Sequence, residues 1–140
     1  MEFDLHIIPS EGHLRHSCME TLALKSTGGF NVNILPGVAD DIKRPHDNVF
    51  GFVYDNEAID ETLASAIPEY MKYPNAWDVL VLYRKVISGS ARQYFEAPRI
   101  FKPNILVGGA DGALIPKNAD SLKYVYVLDG WIVEDARRPC

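Results

Sequence analysis

The chain is predicted to be α/β: a mainly parallel central sheet with helices on both faces, and some antiparallel strands in its C-terminal part. Two observations predict this. Short apolar runs of strand length alternate, through the first half of the chain, with stretches whose apolar residues recur every four positions. Proline or glycine closes most of these segments, as expected where a strand or helix must end. With 140 residues and 47% apolar composition, residues 1–140 are read as a single domain with one continuous core.

Phe3 to Ile8 alternates and then runs apolar before Pro9, which reads as a strand stopped by a residue without a ladder donor. From His13 to Ser26, Leu14, Cys18 and Leu22 form the apolar stripe of a helix that ends at Gly28-Gly29. Phe30 to Leu35 alternates and meets Pro36-Gly37, giving a second strand and a turn. Val49 to Val53 is a third strand. Ile59, Leu63, Ile67 and Met71 step by four and mark a second helix, with Pro68 placed to kink or split it. Asp78 to Tyr83 is a further apolar strand after the Pro74-Asn75 break. Repeated strand, helix, strand order favours parallel pairing with both faces covered. Beyond Arg84 the pattern weakens. Ile105 to Val107 and Ala113 to Ile115 flank a glycine-rich turn that could make a hairpin, and Tyr124 to Leu128 is a last strand.

Composition removes several classes of function. The longest apolar runs, Val79 to Tyr83 and Tyr124 to Leu128, fall far short of the roughly 20 residues that cross a bilayer. Met1-Glu2-Phe3-Asp4 offers neither a basic leader nor a cleavable apolar segment, so a cytoplasmic location is expected. Cys18 and Cys140 make neither a disulfide framework nor a paired metal motif, and Cys18, on the apolar stripe, reads as a packed thiol. A formal charge of −5 with scattered basic residues gives no stripe for a nucleic acid backbone. An acidic chain that handles an anionic nucleotide would need backbone amides or a divalent cation.

In an open parallel sheet, ligands collect beyond the carboxyl ends of the strands. Here those positions hold Pro9-Ser10-Glu11, Val38-Ala39-Asp40-Asp41 and Tyr54-Asp55-Asn56-Glu57. Carboxylates gathered at one edge would repel one another unless neutralised, and oxygen ligands suit Mg²⁺ or Mn²⁺. The same Asp55, Asn56 and Glu57 also suit the cap and first turn of a following helix. His13, His16 and Glu20 share one helix face, opposite Leu14, Cys18 and Leu22, and are expected to face solvent without a metal. Gly108-Gly109-Ala110-Asp111-Gly112 lacks the lysine of a phosphate loop and reads as a turn.

Ile7-Ile8-Pro9-Ser10, then Leu14, Cys18, Glu20-Thr21-Leu22 and Phe30-Asn31-Val32-Asn33-Ile34-Leu35, resemble the opening of inverting, family 2-like glycosyltransferases of the GT-A fold. Phe52-Val53-Tyr54-Asp55-Asn56-Glu57-Ala58-Ile59 is similar to the family's Asp-x-Asp strand end, and Tyr73-Pro74-Asn75-Ala76-Trp77-Asp78-Val79 to its later turn and strand. The resemblance covers residues 3 to 83. It implies a nucleotide diphosphate sugar as donor, with Pro9, Ser10, Glu11, Asp40 and Asp41 at the nucleotide. It further implies Mn²⁺ or Mg²⁺ on Asp55 and Glu57, and transfer with inversion to a hydroxyl acceptor. Val133-Glu134-Asp135-Ala136-Arg137-Arg138 looks like the segment that supplies the base, so Asp135, then Glu134, would take the acceptor proton. Asp129-Gly130 is also a hairpin signal, which would make Glu134-Asp135 the solvated end of a strand. The sequence departs from the pattern in three places: Pro36 to Asp41 replaces consecutive aspartates, the segment from Asp41 to Val49 is short, and Tyr54 stands at one alignment's first metal aspartate. These departures suit an alternative, a catalytically inactive binding or accessory protein.

Overall fold

The computed structural model describes residues 2–9, 31–109 and 114–135. The helix expected from His13 to Ser26 lies outside them, as do Ser10, Glu11, His16, Glu20, Cys18 and Cys140.

Strands β1 (Glu2–Ile8), β2 (Asn31–Pro36) and β3 (Val49–Tyr54) form where alternation or an apolar run predicts them. β1 lies between the other two and pairs in parallel with both. The four-residue helix α1 (Ala39–Ile42) follows β2, and the short strand β4 (Ala58–Ile59) leads into α2 (Glu61–Met71). Asp60 caps α2 by accepting from the Leu63 amide at 2.8 Å, and the helix passes through Pro68 to Met71. Next come β5 (Val79–Ser88) and β6 (Ala91–Phe101), an antiparallel pair that takes up much of the second half of the chain. β7 (Val107–Gly108) and β8 (Ile115–Pro116) form a separate small hairpin, near the one expected there. β9 (Tyr124–Tyr126) and β10 (Ile132–Asp135) complete the order.

The main sheet runs β2-β1-β3-β6-β5-β10-β4, with β9 also on β5. Its far edge must curl back. In a flat sheet four strand spacings would put β4 about 19 Å from β3, yet the link from Tyr54 to Ala58 reaches at most about 14 Å. Side chains alternate between two apolar layers. One gathers Phe3, Leu5, Ile7, Val53, Leu80 and Ile100 against Leu63, Ile67 and Met71 of α2. The other sets Ile8, Phe50, Phe52, Val79 and Phe101 against Ile42 and the segment bearing Ile105, Val107 and Leu114.

This architecture corrects the expected fold class. Strand makes up 48% of the described residues and helix 19%, so the molecule is a curled, mixed half-barrel sheet, not a helix-rich parallel α/β fold of the GT-A kind. Two local features account for the difference. Ser88-Gly89-Ser90-Ala91 closes a hairpin in which Gly89 has φ +61° and no non-glycine residue has positive φ, the two-residue turn that reverses β5 into β6. Asp129-Gly130, by contrast, is no hairpin turn: β9 and β10 pair with the same edge of β5 in succession, both parallel to it. Gly130, at φ +90°, sits over the start of α2, where an added Cβ would lie 2.3 Å from the Leu63 amide nitrogen. No helix among the described residues is long and apolar enough to cross a membrane.

Candidate functional site

The carboxyl ends of β2, β1 and β3 stand side by side. The Gly37 amide donates to the Ile7 carbonyl at 3.0 Å and the Asp55 amide to the Ile8 carbonyl at 2.9 Å, so the loops after all three strands leave from one edge. Pro9, Asp40, Asp41 and Asp55 follow those ends. Asp40 pairs with Lys43 at 3.3 Å and its side chain is 78% exposed. Asp41 accepts from the Val38 amide at 2.9 Å at the start of α1 and faces Arg44 at 3.7 Å. Beneath this edge His6 is buried, edge-on to His46, with no hydrogen-bond partner for its Nε2 among the described residues. Burial first, and His46 second, lower its pKa against the opposing pull of Asp4 and Asp41.

Asp55 and Glu57 are both fully buried. Neither caps α2, which starts at Glu61 behind Asp60. Glu57 Oε1 accepts from the Tyr54 amide at 2.8 Å and from Arg99 Nη1 at 2.8 Å; Oε2 accepts from Arg99 Nη2 at 2.9 Å and Arg84 Nε at 2.6 Å. Those four bonds use the four lone-pair positions of a carboxylate. Two guanidinium groups thus share the Glu57 carboxylate. Burial is the largest influence on its pKa and acts upward. The charge and hydrogen bonds of Arg99, the Tyr54 amide and Arg84 together outweigh it and hold the carboxyl below its ordinary range. Among the described residues, no group of three or more His, Cys, Asp or Glu is set to hold a metal ion.

Arg84 continues the network. Its Nη2 donates to Glu134 Oε1, which also accepts from Asn56 Nδ2 at 3.3 Å. Burial disfavours the Arg84 charge, but Glu57 and Glu134 overcome this and raise its pKa. Arg99 lies under the rings of Phe52, at 4.7 Å, and Tyr54, at 5.3 Å. The structure thus brings Glu57 and Glu134 together through Arg84, while Asp40 and Asp41 belong to α1, after β2. Asp135 ends β10, paired with Ile87. Arg84 and Arg99 are the residues a reading of the sequence passes over. Their signal is a lone arginine after the apolar run Val79 to Tyr83 and another beside Ile100-Phe101, since a charge inside an apolar strand needs a buried partner.

A separate cleft of about 440 Å³ lies between α2 and β9, lined by Tyr70, Tyr73, Trp77, Val125, Glu69 and Asp129 among others. Trp77 is nearly fully buried there, its indole N–H donating to the Tyr70 carbonyl at 3.0 Å. Glu69 is paired with Lys72 at 3.1 Å.

No family model matches the chain, and neither a curated protein nor a solved structure matches it.

Proposed function

We propose that the chain is a binding or accessory protein that takes a nucleotide diphosphate sugar at the carboxyl edge of β2, β1 and β3. The observation that carries this is the strand order. β1 connects to β2 on one side, while its other neighbour, β3, leads away towards β4. Connections that part in this way leave a crevice at the strand ends, which is where open sheets with parallel strands bind ligands. Asp40, exposed at that edge, supplies a carboxylate that accepts from the imide N–H of uracil or the N1–H and amino group of guanine. Lys43 and Arg44, beside it, supply positive charge for the diphosphate in place of a divalent cation. Glu134 spends an oxygen on Arg84 and Asn56, which supports binding better than transfer.

Titration calorimetry of uridine and guanosine diphosphates, with Mn²⁺ and with chelator, tests the reading on the wild type and on Asp40→Asn. Binding of one nucleotide in chelator is expected, weakened about tenfold in the variant by loss of a charged hydrogen-bond acceptor. Absence of binding by both nucleotides overturns it. A second reading rests on the cleft beside α2, where aromatic walls and the Asp129 carboxylate suit a small organic cation.

A further inference from the structure

The outer edge of β6 carries a self-complementary pattern. β3 reaches β6 only at Phe101 and Ile100, so from Ala91 to Glu96 no described strand pairs with the side of β6 that faces away from β5. All six residues of this stretch are exposed, Tyr94 by 57% and Phe95 by 44%. An extended strand with an open row of amides and carbonyls is a template for another strand, and proteins that stay monomeric blunt such edges with unpaired charges, proline, bulges or short length. Here the only proline of β6 is Pro98, and the bulge falls between Leu80 and Val81, opposite Arg99, both beyond the exposed stretch.

Charge then selects the partner. Arg92, Tyr94 and Glu96 alternate along β6 and point to one face. Among the described residues Arg92 bonds only the carbonyls of Gly89 and Ala91, and Glu96 has no ion pair. When two β6 strands meet antiparallel with Tyr94 opposite Tyr94, Arg92 of each copy faces Glu96 of the other. Two cross-strand ion pairs then flank a central pair of rings. Tyr94 already packs at 5.1 Å from Trp131, whose ring also receives Lys85 at 5.4 Å, so the aromatic row of one copy would run on into the next. Shifting the register by two residues in either direction leaves both charges without their partners.

We infer that a second copy of this chain adds to the β6 edge, forming a twofold dimer centred on Tyr94. The contact is one strand pair wide, so association is concentration-dependent in the manner of small interfaces.

Sedimentation equilibrium across micromolar to millimolar protein tests this on the wild type, Arg92→Glu and Glu96→Arg. Both substitutions lie on exposed side chains, and circular dichroism verifies that each variant keeps its fold. The wild type is expected to dimerise, and each variant to do so about tenfold more weakly or worse, because like charges then stand opposite in both pairs. An equimolar mixture of the two variants is expected to recover wild-type association, since each then offers the charge the other needs. A monomeric wild type, variants that dimerise normally, or a mixture that does not recover each overturns the inference.

Discussion

Glu57 shows how a carboxylate that reads as a ligand can instead hold a fold together. Its partners Arg84 and Arg99 lie 27 and 42 positions further along the chain, so nothing local to Asp55-Asn56-Glu57 distinguishes a metal site from an ion-pair clasp. Strand-end carboxylates were legible in the sequence; the pairing of Glu57 with two guanidinium groups was not, because only tertiary pairing brings β5 and β6 beside the β3–β4 link. The unfolded chain protonates this carboxyl near its ordinary value of 4.5, and the folded chain only at lower pH. The stabilisation is therefore complete above the unfolded value and is lost as pH falls through the folded one. Glu57→Gln is expected to cost about 3–5 kcal/mol near neutral pH by leaving Arg99 buried without its counter-charge. It should also flatten the acid side of the stability curve. Urea unfolding of both proteins at a series of pH values checks this; a variant as stable as the wild type would show the clasp to be incidental.

At the level of elements, apolar patterns found β1, β2, β3, β5, α2 and β9 because each carries either an apolar run or a regular apolar spacing. β6 escaped because its exposed half, Ala91 to Glu96, carries Arg92, Gln93 and Glu96 on a ribbon with little buried face to enforce alternation. The direction of β10 is not legible in the sequence for a different reason. Asp129-Gly130 has hairpin chemistry, but Gly130 uses its positive φ to cross the N-terminus of α2, where Asp60 binds both the Leu63 and Trp131 amides. The two glycines should therefore respond differently to substitution. Gly89→Ala meets no atoms within 4 Å and is expected to cost only about 1–2 kcal/mol, the backbone strain of a left-handed L-residue. Gly130→Ala adds contacts of 2.3 Å to the Leu63 amide nitrogen and 2.5 Å to Asp60 Oδ1, and should cost clearly more. Denaturant midpoints compared at equal m-value decide it; equal losses would mean that Gly130 does not seat the loop on α2.

For the molecule as a whole, parallel order was legible at the amino-terminal end and misleading when extended to the rest. β1, β2 and β3 are parallel, but the β5–β6 hairpin and the antiparallel β4–β10 pair turn the sheet into a mixed, curled one. The curl separates two places where a small ligand could sit: the strand-end crevice near Asp40, and the aromatic cleft between α2 and β9. Backbone amide chemical shifts recorded while a uridine or guanosine diphosphate sugar is added to the ¹⁵N-labelled protein locate the ligand directly. Shifts concentrated at Gly37 to Lys43 and Tyr54 to Glu57 are the result expected for binding at the carboxyl edge. Shifts confined to Ala66 to Trp77 and Val125 to Asp129, or no saturable shift with either nucleotide sugar, would contradict it.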